Sequence, residues 1–469
     1  MDGAAELLRR KWRVGAFGLA LVAVLGTVLA LRMASDGPGS PASRPASGSA
    51  SPASEGTSPT AAASLLATPA LIEFAGILDG APMSAAEWGA RKDRPPLAVM
   101  VDNTANAYPH AGLAAADLVY EAFVEGGVTR LMAVYWRHDA DKVSPVRSAR
   151  TPFVVWALEL GALYAHAGGA TTWNEANAIG QIFEWGVRDL DAFVTGSSTA
   201  YYRDSDRAVP YNLVTSTAKL YEAAASLGFN GPPAAESWKF RNPGDPAVGG
   251  TRAEGIEVDF QGTRSSWQMV QWKWDAAAGA YGRSAFGGPH LDAATGRQLQ
   301  FATVIVMLAP GEVVDESGHV LLQQIGEGPA TVFTGGRAIE GVWRKASREA
   351  RTRFFDTRGQ EVAFERGPIF IEVIDRQSKV VVSESAAGLP ALPPYQPPPA
   401  PPVQDEDGPA PGDSPPTAVA SPTPGAGPAG TPSGTAGPGR TPGSSGPGPA
   451  KTPATVTPPA ASPTNPSGS

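Results

Sequence analysis

The sequence of 469 residues contains no cysteine. That excludes disulfides, thiolate metal sites and cysteine nucleophiles, together with the lipid attachment that bacterial lipoproteins make at a cysteine. Histidine is scarce: His110, His138, His166, His290 and His319 are the five, and no two are closely spaced. The metalloprotease pair HExxH, the phosphate-binding P-loop and the nucleophile elbow GxSxG are all missing, as is a GxGxxG turn after a strand. Nothing calls for a metal, and no cofactor is expected. Net charge is −8, so the basic footprint of a nucleic-acid binder is absent and no nucleic-acid partner is expected.

What is abundant is glycine (54) and proline (46). The chain is too long for one core, and this composition points to long unfolded parts. Arg9, Arg10, Lys11 and Arg13 precede an uncharged run from Val14 to Leu31. As a helix that run would be ~27 Å long, just enough to span a bilayer. The basic flank predicts a single-pass anchor at 14–31 with residues 1–13 in the cytoplasm and the rest outside. A cleaved signal peptide, with Val28 and Ala30 at the cleavage site, is the rival. Residues 32–68 and 386–469 are rich in Ser, Pro, Gly, Ala and Thr, and are expected to be a disordered linker and tail.

The part between is expected to be α+β: an α/β-type domain at 69–230 followed by a mostly β domain at 231–385. "LAVMVDN", "DLVYEAFV" and "TRLMAVYWR" read as strands, the last two joined by a hairpin in which Gly126 and Gly127 supply positive φ. Thr151 as N-cap and Pro152 at the first position open a helix that Gly161 ends. "ALYAHAGG" (162–169) reads as a strand running into a Gly-Gly turn, and a second helix follows, for which Thr172 and Glu175 suggest a capping box. A third helix covers 215–230. After Gly231 come short strands with Gly or Asp turns, including "SWQMVQWKWD" and "IFIEVID".

Polar residues gather at the predicted strand ends of the first domain. Asp102 and Asn103 end one strand, Glu121, Glu125 and Arg130 surround the hairpin, Arg147 and Arg150 precede a helix, and His166 precedes a Gly-Gly turn. Strand ends of an open sheet collect on one edge, so these eight are expected to line one ligand-binding cleft. Arginine forks bind carboxylate or phosphate, and paired carboxylates can do acid–base work on a glycosidic bond. The bland reading stands beside this one. The arginines can pair with Glu121, Glu125 or Asp102 internally, Asp102 and Asn103 can form an Asx turn, and His166 can be a satisfied core histidine. Trp272 and Trp274, on one strand face, read as core first and as a sugar platform second.

"RPPLAVMVDN", "AGLAAADLVYEAFVEGGVTRLMAVY", "SPVRSARTPFVVWALELGALYAHAGG" and "RAVPYNLVTS" resemble the YerB-like family of bacterial envelope lipoproteins, a family of unknown function. "GGPHLDAATGRQLQFATVIVMLA" and "EGVWRKASREARTRFFDTRGQEV" resemble its C-terminal domain. The resemblance covers about 76 to 375 and implies two tandem domains displayed outside the cytoplasmic membrane, with no settled activity. The sequence departs from that family in lacking the lipobox cysteine, so the N-terminal helix would replace the lipid. Tyr211 stands where the family leads one to expect histidine. The expectation is thus a membrane-anchored extracytoplasmic binding or scaffold protein that recognises an anionic glycan, a peptidoglycan fragment or an envelope partner protein. The alternative is a hydrolase or transferase on an envelope glycan or phosphodiester. Asp102, Glu121 or Glu125 and His166 would be its acid–base groups, and Arg147 and Arg150 would hold the anion. Free carboxylates favour the enzyme, and carboxylates neutralised by arginine favour the scaffold.

Overall fold

A computed structural model describes residues 72–264 and 268–395. The first half of the chain supplies strands β1 (Leu97–Asp102), β2 (Leu118–Phe123), β3 (Thr129–Tyr135), β4 (Leu163–His166) and β5 (Arg188–Asp191), and a small pair, β6 (Tyr202–Arg203) and β7 (Leu213–Val214). The second half supplies β8 (Thr251–Arg252), β9 (Gly255–Asp259), β10 (Met269–Asp275), β11 (Ala280–Ala285), β12 (Gly288–Pro289), β13 (Gln300–Phe301) and β14 (Thr303–Leu308). It continues with β15 (Gly311–Val313), β16 (Val320–Leu322), β17 (Gly326–Thr334), β18 (Arg337–Lys345), β19 (Arg353–Asp356), β20 (Ile369–Ile374) and β21 (Lys379–Ser383).

The two halves share one sheet. Eleven strands run in the order β19-β18-β17-β14-β20-β2-β3-β1-β4-β5, with β8 on β18. The joint is the parallel pairing of β20 with β2, in register from Leu118 opposite Ile369 to Ala122 opposite Val373. β1, β2, β3 and β20 are buried along their whole length, which is why they read as near-continuous apolar runs. A second sheet, β12-β11-β10-β9-β21 with β13 on β11, packs on one face, where Val119, Ala133, Trp272, Phe301 and Phe370 share a core. The opposite face, with Met100, Tyr120, Met132 and Ile371, buries the helix carrying Trp156. Tyr120 and Trp156 stack there at 4.6 Å.

Four α-helices are described: α1 (Ala85–Arg91), α2 (Thr151–Glu159), α3 (Ala178–Glu184) and α4 (Thr217–Ser226). The Ser84 hydroxyl and the Glu87 carboxylate form a reciprocal capping box on α1. The cap of α2 is Arg150, one residue before the expected Thr151, whose hydroxyl bonds Gln181 instead. The box expected at Thr172 and Glu175 does not form. Thr172 donates to Asn174 in a turn, and Asn177 caps α3 by accepting from the Gly180 N–H. Gly126 and Gly127 do take positive φ, at 68° and 72°, in the β2–β3 hairpin.

The expected cytoplasmic segment, anchor and linker lie outside the described residues. Among the described residues no helix is long and apolar enough to cross a membrane. The packed chain also runs past 385: the Pro390 carbonyl accepts from Gln271 at 2.6 Å, and Tyr395 packs on Phe286 with ring centroids 5.8 Å apart.

Candidate functional site

Asp102 ends β1 directly opposite Arg130 at the start of β3. Residues of these strands alternate between faces, and this pair points to the α2 side. The β2–β3 hairpin turns Glu125 back toward the start of α2. There Arg150 donates from Nε to Glu125 Oε2 at 2.7 Å and from its other arm to Oε1, and Arg130 approaches Oε1 at 3.5 Å. Arg130 also donates to the Ser148 carbonyl at 2.8 Å. Burial opposes the Glu125 charge, but Arg130 and Arg150 outweigh it and hold the carboxyl at about 2. Burial and the neighbouring Arg150 charge lower Arg130 to about 10. Beside this cluster, Arg147 Nε lies 2.9 Å from Asp102 Oδ2, while Asp102 Oδ1 accepts the Thr104 N–H in an Asx turn.

Asn103 and Glu121 lie on the other face, against the second sheet. Glu121 accepts from Asn103 at 2.9 Å, from Thr129 at 2.7 Å and from Arg283 at 2.5 Å. Glu372, its register partner on β20, accepts from the Trp272 indole at 2.9 Å and lies 3.8 Å from Arg283 Nε. Burial and the Glu121 charge push Glu372 well above the usual carboxylate range, so it is protonated. Arg283 also reaches His290 Nδ1 at 2.5 Å, His290 Nε2 lies 2.9 Å from His110 Nδ1, and His110 Nε2 lies 2.8 Å from the Asp102 carbonyl. Arginine only donates, so every proton in this chain is placed. His290 accepts at Nδ1 and donates from Nε2, and His110 accepts at Nδ1 and donates from Nε2 to the carbonyl. Both rings are therefore neutral. Burial and the Arg283 charge lower both, His110 to about 4.

His166 is fully buried on β4. Nδ1 lies 2.8 Å from the Gly168 carbonyl and Nε2 lies 2.9 Å from Asp189. Both partners are acceptors, so both nitrogens donate and the ring is an imidazolium. Burial works against this charge, but the Asp189 bond and the Asp191 field raise the pKa overall.

The eight expected residues are thus divided by the sheet. Glu125, Arg130 and Arg150 form one ion cluster with Asp102 and Arg147 beside it. Asn103 and Glu121 belong to a network on the opposite face, and the His166 imidazole turns to Asp189. A single cleft lined by all eight is not formed, because successive residues at a strand end, such as Asp102 of β1 and Asn103 just after it, point to opposite faces. Sequence reasoning missed Arg283, His290, His110 and Glu372, which converge from three separate stretches, Arg283 and His290 sharing the β11–β12 hairpin; the glutamate inside "IFIEVID" was the one visible signal. It also missed Glu159 of α2, buried and bonded by Lys345 at 2.7 Å, Arg351 at 2.6 Å and Thr352 at 2.7 Å. Trp272 is core, packed on Phe370 and Phe301. Asp79, Asp117 and His138 stand close enough to share a metal ion. Their oxygens, however, already accept from Arg137, His138 and backbone N–H groups, and a cation would have to displace Arg137.

Two family models match the chain: the N-terminal domain of a protein of unknown function, DUF3048, over residues 83–230, and the C-terminal domain of the same family over 256–371. The "Putative lipoprotein YerB" of Bacillus subtilis (strain 168) is 28% identical over 255 residues, covering 54% of this chain and 74% of that protein. A crystal structure of YerB protein from Bacillus subtilis superposes with a TM-score of 0.56 at 22% identity, over 66% of this chain and 100% of that one. At that identity the structural likeness speaks for the fold alone.

Proposed function

Because the chain belongs to the YerB-like family, the DUF3048 proteins of unknown function, we propose that it is a membrane-associated extracytoplasmic binding or scaffold protein of the cell envelope. Its ligand is an anionic glycan, a peptidoglycan fragment or an envelope protein bearing such a group. One observation carries the choice of binding over catalysis: Asp102, Glu121 and Glu125, the carboxylates placed to act as acid or base, are each matched to a guanidinium. A hydrolase or transferase would need one of them free to exchange a proton.

Arg147 is the natural contact for an anion. Its side chain is 22% exposed, whereas Arg130 and Arg150 are both buried. Its guanidinium stands 2.9 Å from the buried Asp102 carboxylate, and the partly exposed side chain can meet an anion from solvent. A charge-assisted hydrogen bond contributes about 1.5–3 kcal/mol. Titration of the full chain with muropeptides and phosphorylated glycans should therefore show binding that Arg147→Ala weakens roughly tenfold or more. Binding untouched by that substitution, or the absence of binding to either class, overturns the reading.

A further inference from the structure

β21 ends the second sheet, and among the described residues no strand lies beyond it. Sheet edges are normally guarded by charge, proline or brevity. The other edges here follow that rule. β5 carries Arg188, Asp189 and Asp191, β19 begins and ends with Arg353 and Asp356, and β12 is the dipeptide Gly288–Pro289. β21 reads KVVVS, and Val380, Val381 and Val382 are 37%, 43% and 46% exposed. Its one cation does not guard it, because Lys379 Nζ bonds the Gly262 carbonyl at 2.7 Å. The segment that follows does not cover it either. After Ser383 the chain passes Gly255 at Leu389, Gln271 at Pro390 and Phe286 at Tyr395, crossing the sheet away from this edge.

We propose that β21 pairs antiparallel with β21 of a second copy of this chain, about a two-fold axis at Val381, so that the two smaller sheets become continuous. The edge is complementary to itself. In that register Lys379 meets Ser383 of the second copy, Val380 meets Val382, and Val381 meets its own counterpart. No like charges oppose one another, and β-branched residues pair on both faces, the favoured cross-strand arrangement. A two-fold axis makes the contact isologous and closed, so assembly stops at the dimer. Five residues of strand make an interface smaller than the usual ~1,200 Å² of a tight complex, so the dimer is reversible.

The absence of native cysteine permits a direct test. Across the axis the two Val381 Cα atoms would lie about 4.5–5.5 Å apart, within the roughly 4.4–6.8 Å a disulfide spans. Full-length Val381→Cys should form a covalent dimer under mild oxidation, while Val209→Cys, exposed on the first half, should not. Sedimentation of the full chain should show a monomer–dimer equilibrium that Val381→Lys shifts to monomer by roughly tenfold or more, since it opposes two like charges. Val381 stands beside Glu257 of β9, so the lysine gains a carboxylate neighbour and melting should not fall. Crosslinking of Val381→Cys no faster than of Val209→Cys, or a wild-type chain monomeric at all concentrations, overturns the proposal. The second result would leave the edge to an extended segment of another protein.

Discussion

Glu121 and Glu372 face each other across the strand pair that joins the two halves, and Arg283 from the second sheet is bonded to the first and close to the second. Two buried carboxyls side by side are tolerable only because one keeps its proton and a guanidinium serves the other. Arg283→Ala removes the cation and leaves the ionised partner buried without compensation, which costs on the order of 3–5 kcal/mol. Glu372→Gln retains a neutral polar group and should change stability by less than about 1 kcal/mol. Urea unfolding of both variants checks this, and equal effects would contradict it.

The hairpin cluster should behave in the same way. Arg150→Ala leaves Glu125 with the longer contact to Arg130 alone and should destabilise by on the order of 3 kcal/mol. Arg147→Ala should cost less, because Arg147 is partly exposed and the buried Asp102 keeps the Thr104 N–H on Oδ1. Thermal melts that rank the two in the reverse order would refute the assignment of Arg150 as the structural member.

Two histidines give stability opposite pH dependences. His110 titrates near 6.5 when unfolded and near 4 when folded, so its contribution is present above pH 6.5 and lost as pH falls toward 4. His166 is raised above 6.5, so its contribution is present below that pH and lost as pH rises through its folded value. Free energy of unfolding measured against pH should fall on both sides, and His166→Gln should flatten the alkaline side alone. An unaltered alkaline limb in that variant would show that the imidazolium is not formed.

Glycines at two sites predict opposite signs. A Cβ on Gly341 of β18 would lie 1.8 Å from the Phe355 carbonyl oxygen, so Gly341→Ala should part β18 from β19 and lower stability by about 1–3 kcal/mol or more. Gly89 in α1 has open space around it, and Gly89→Ala should raise stability by about 0.5–1 kcal/mol. Calorimetry of the two variants reads both shifts.

Local signals in the sequence announced strands and turns, but not the helix caps at Thr151 and Thr172. The runs "LAVMVDN" and "IFIEVID" announced strands, and Gly126 and Gly127 announced the turn between β2 and β3. Of the internal partners the sequence offered for Arg147 and Arg150, Asp102 and Glu125 are the ones met, whereas Glu121 is served by Arg283 from the second half. What was hidden depends on strand order. No local pattern says that β20 pairs with β2, so neither the shared sheet nor the Arg283–His290–His110 chain could be read. The expected cleft failed for a related reason: assigning residues to strand ends does not say which face each side chain takes.

The placement of β20 also fixes the order in which this protein can become complete. β2 is flanked by β3 on one side, but its other edge waits for residues 369–374. At a synthesis rate of roughly 5–20 residues per second, the intervening stretch of about 250 residues takes on the order of 12–50 s to appear. For that interval β2, buried along its whole length in the finished fold, presents an open row of backbone donors and acceptors. A nascent chain stalled or clipped before residue 369 is a sticky fragment rather than a small independent domain, and quality control in the cell has to act on it within that interval.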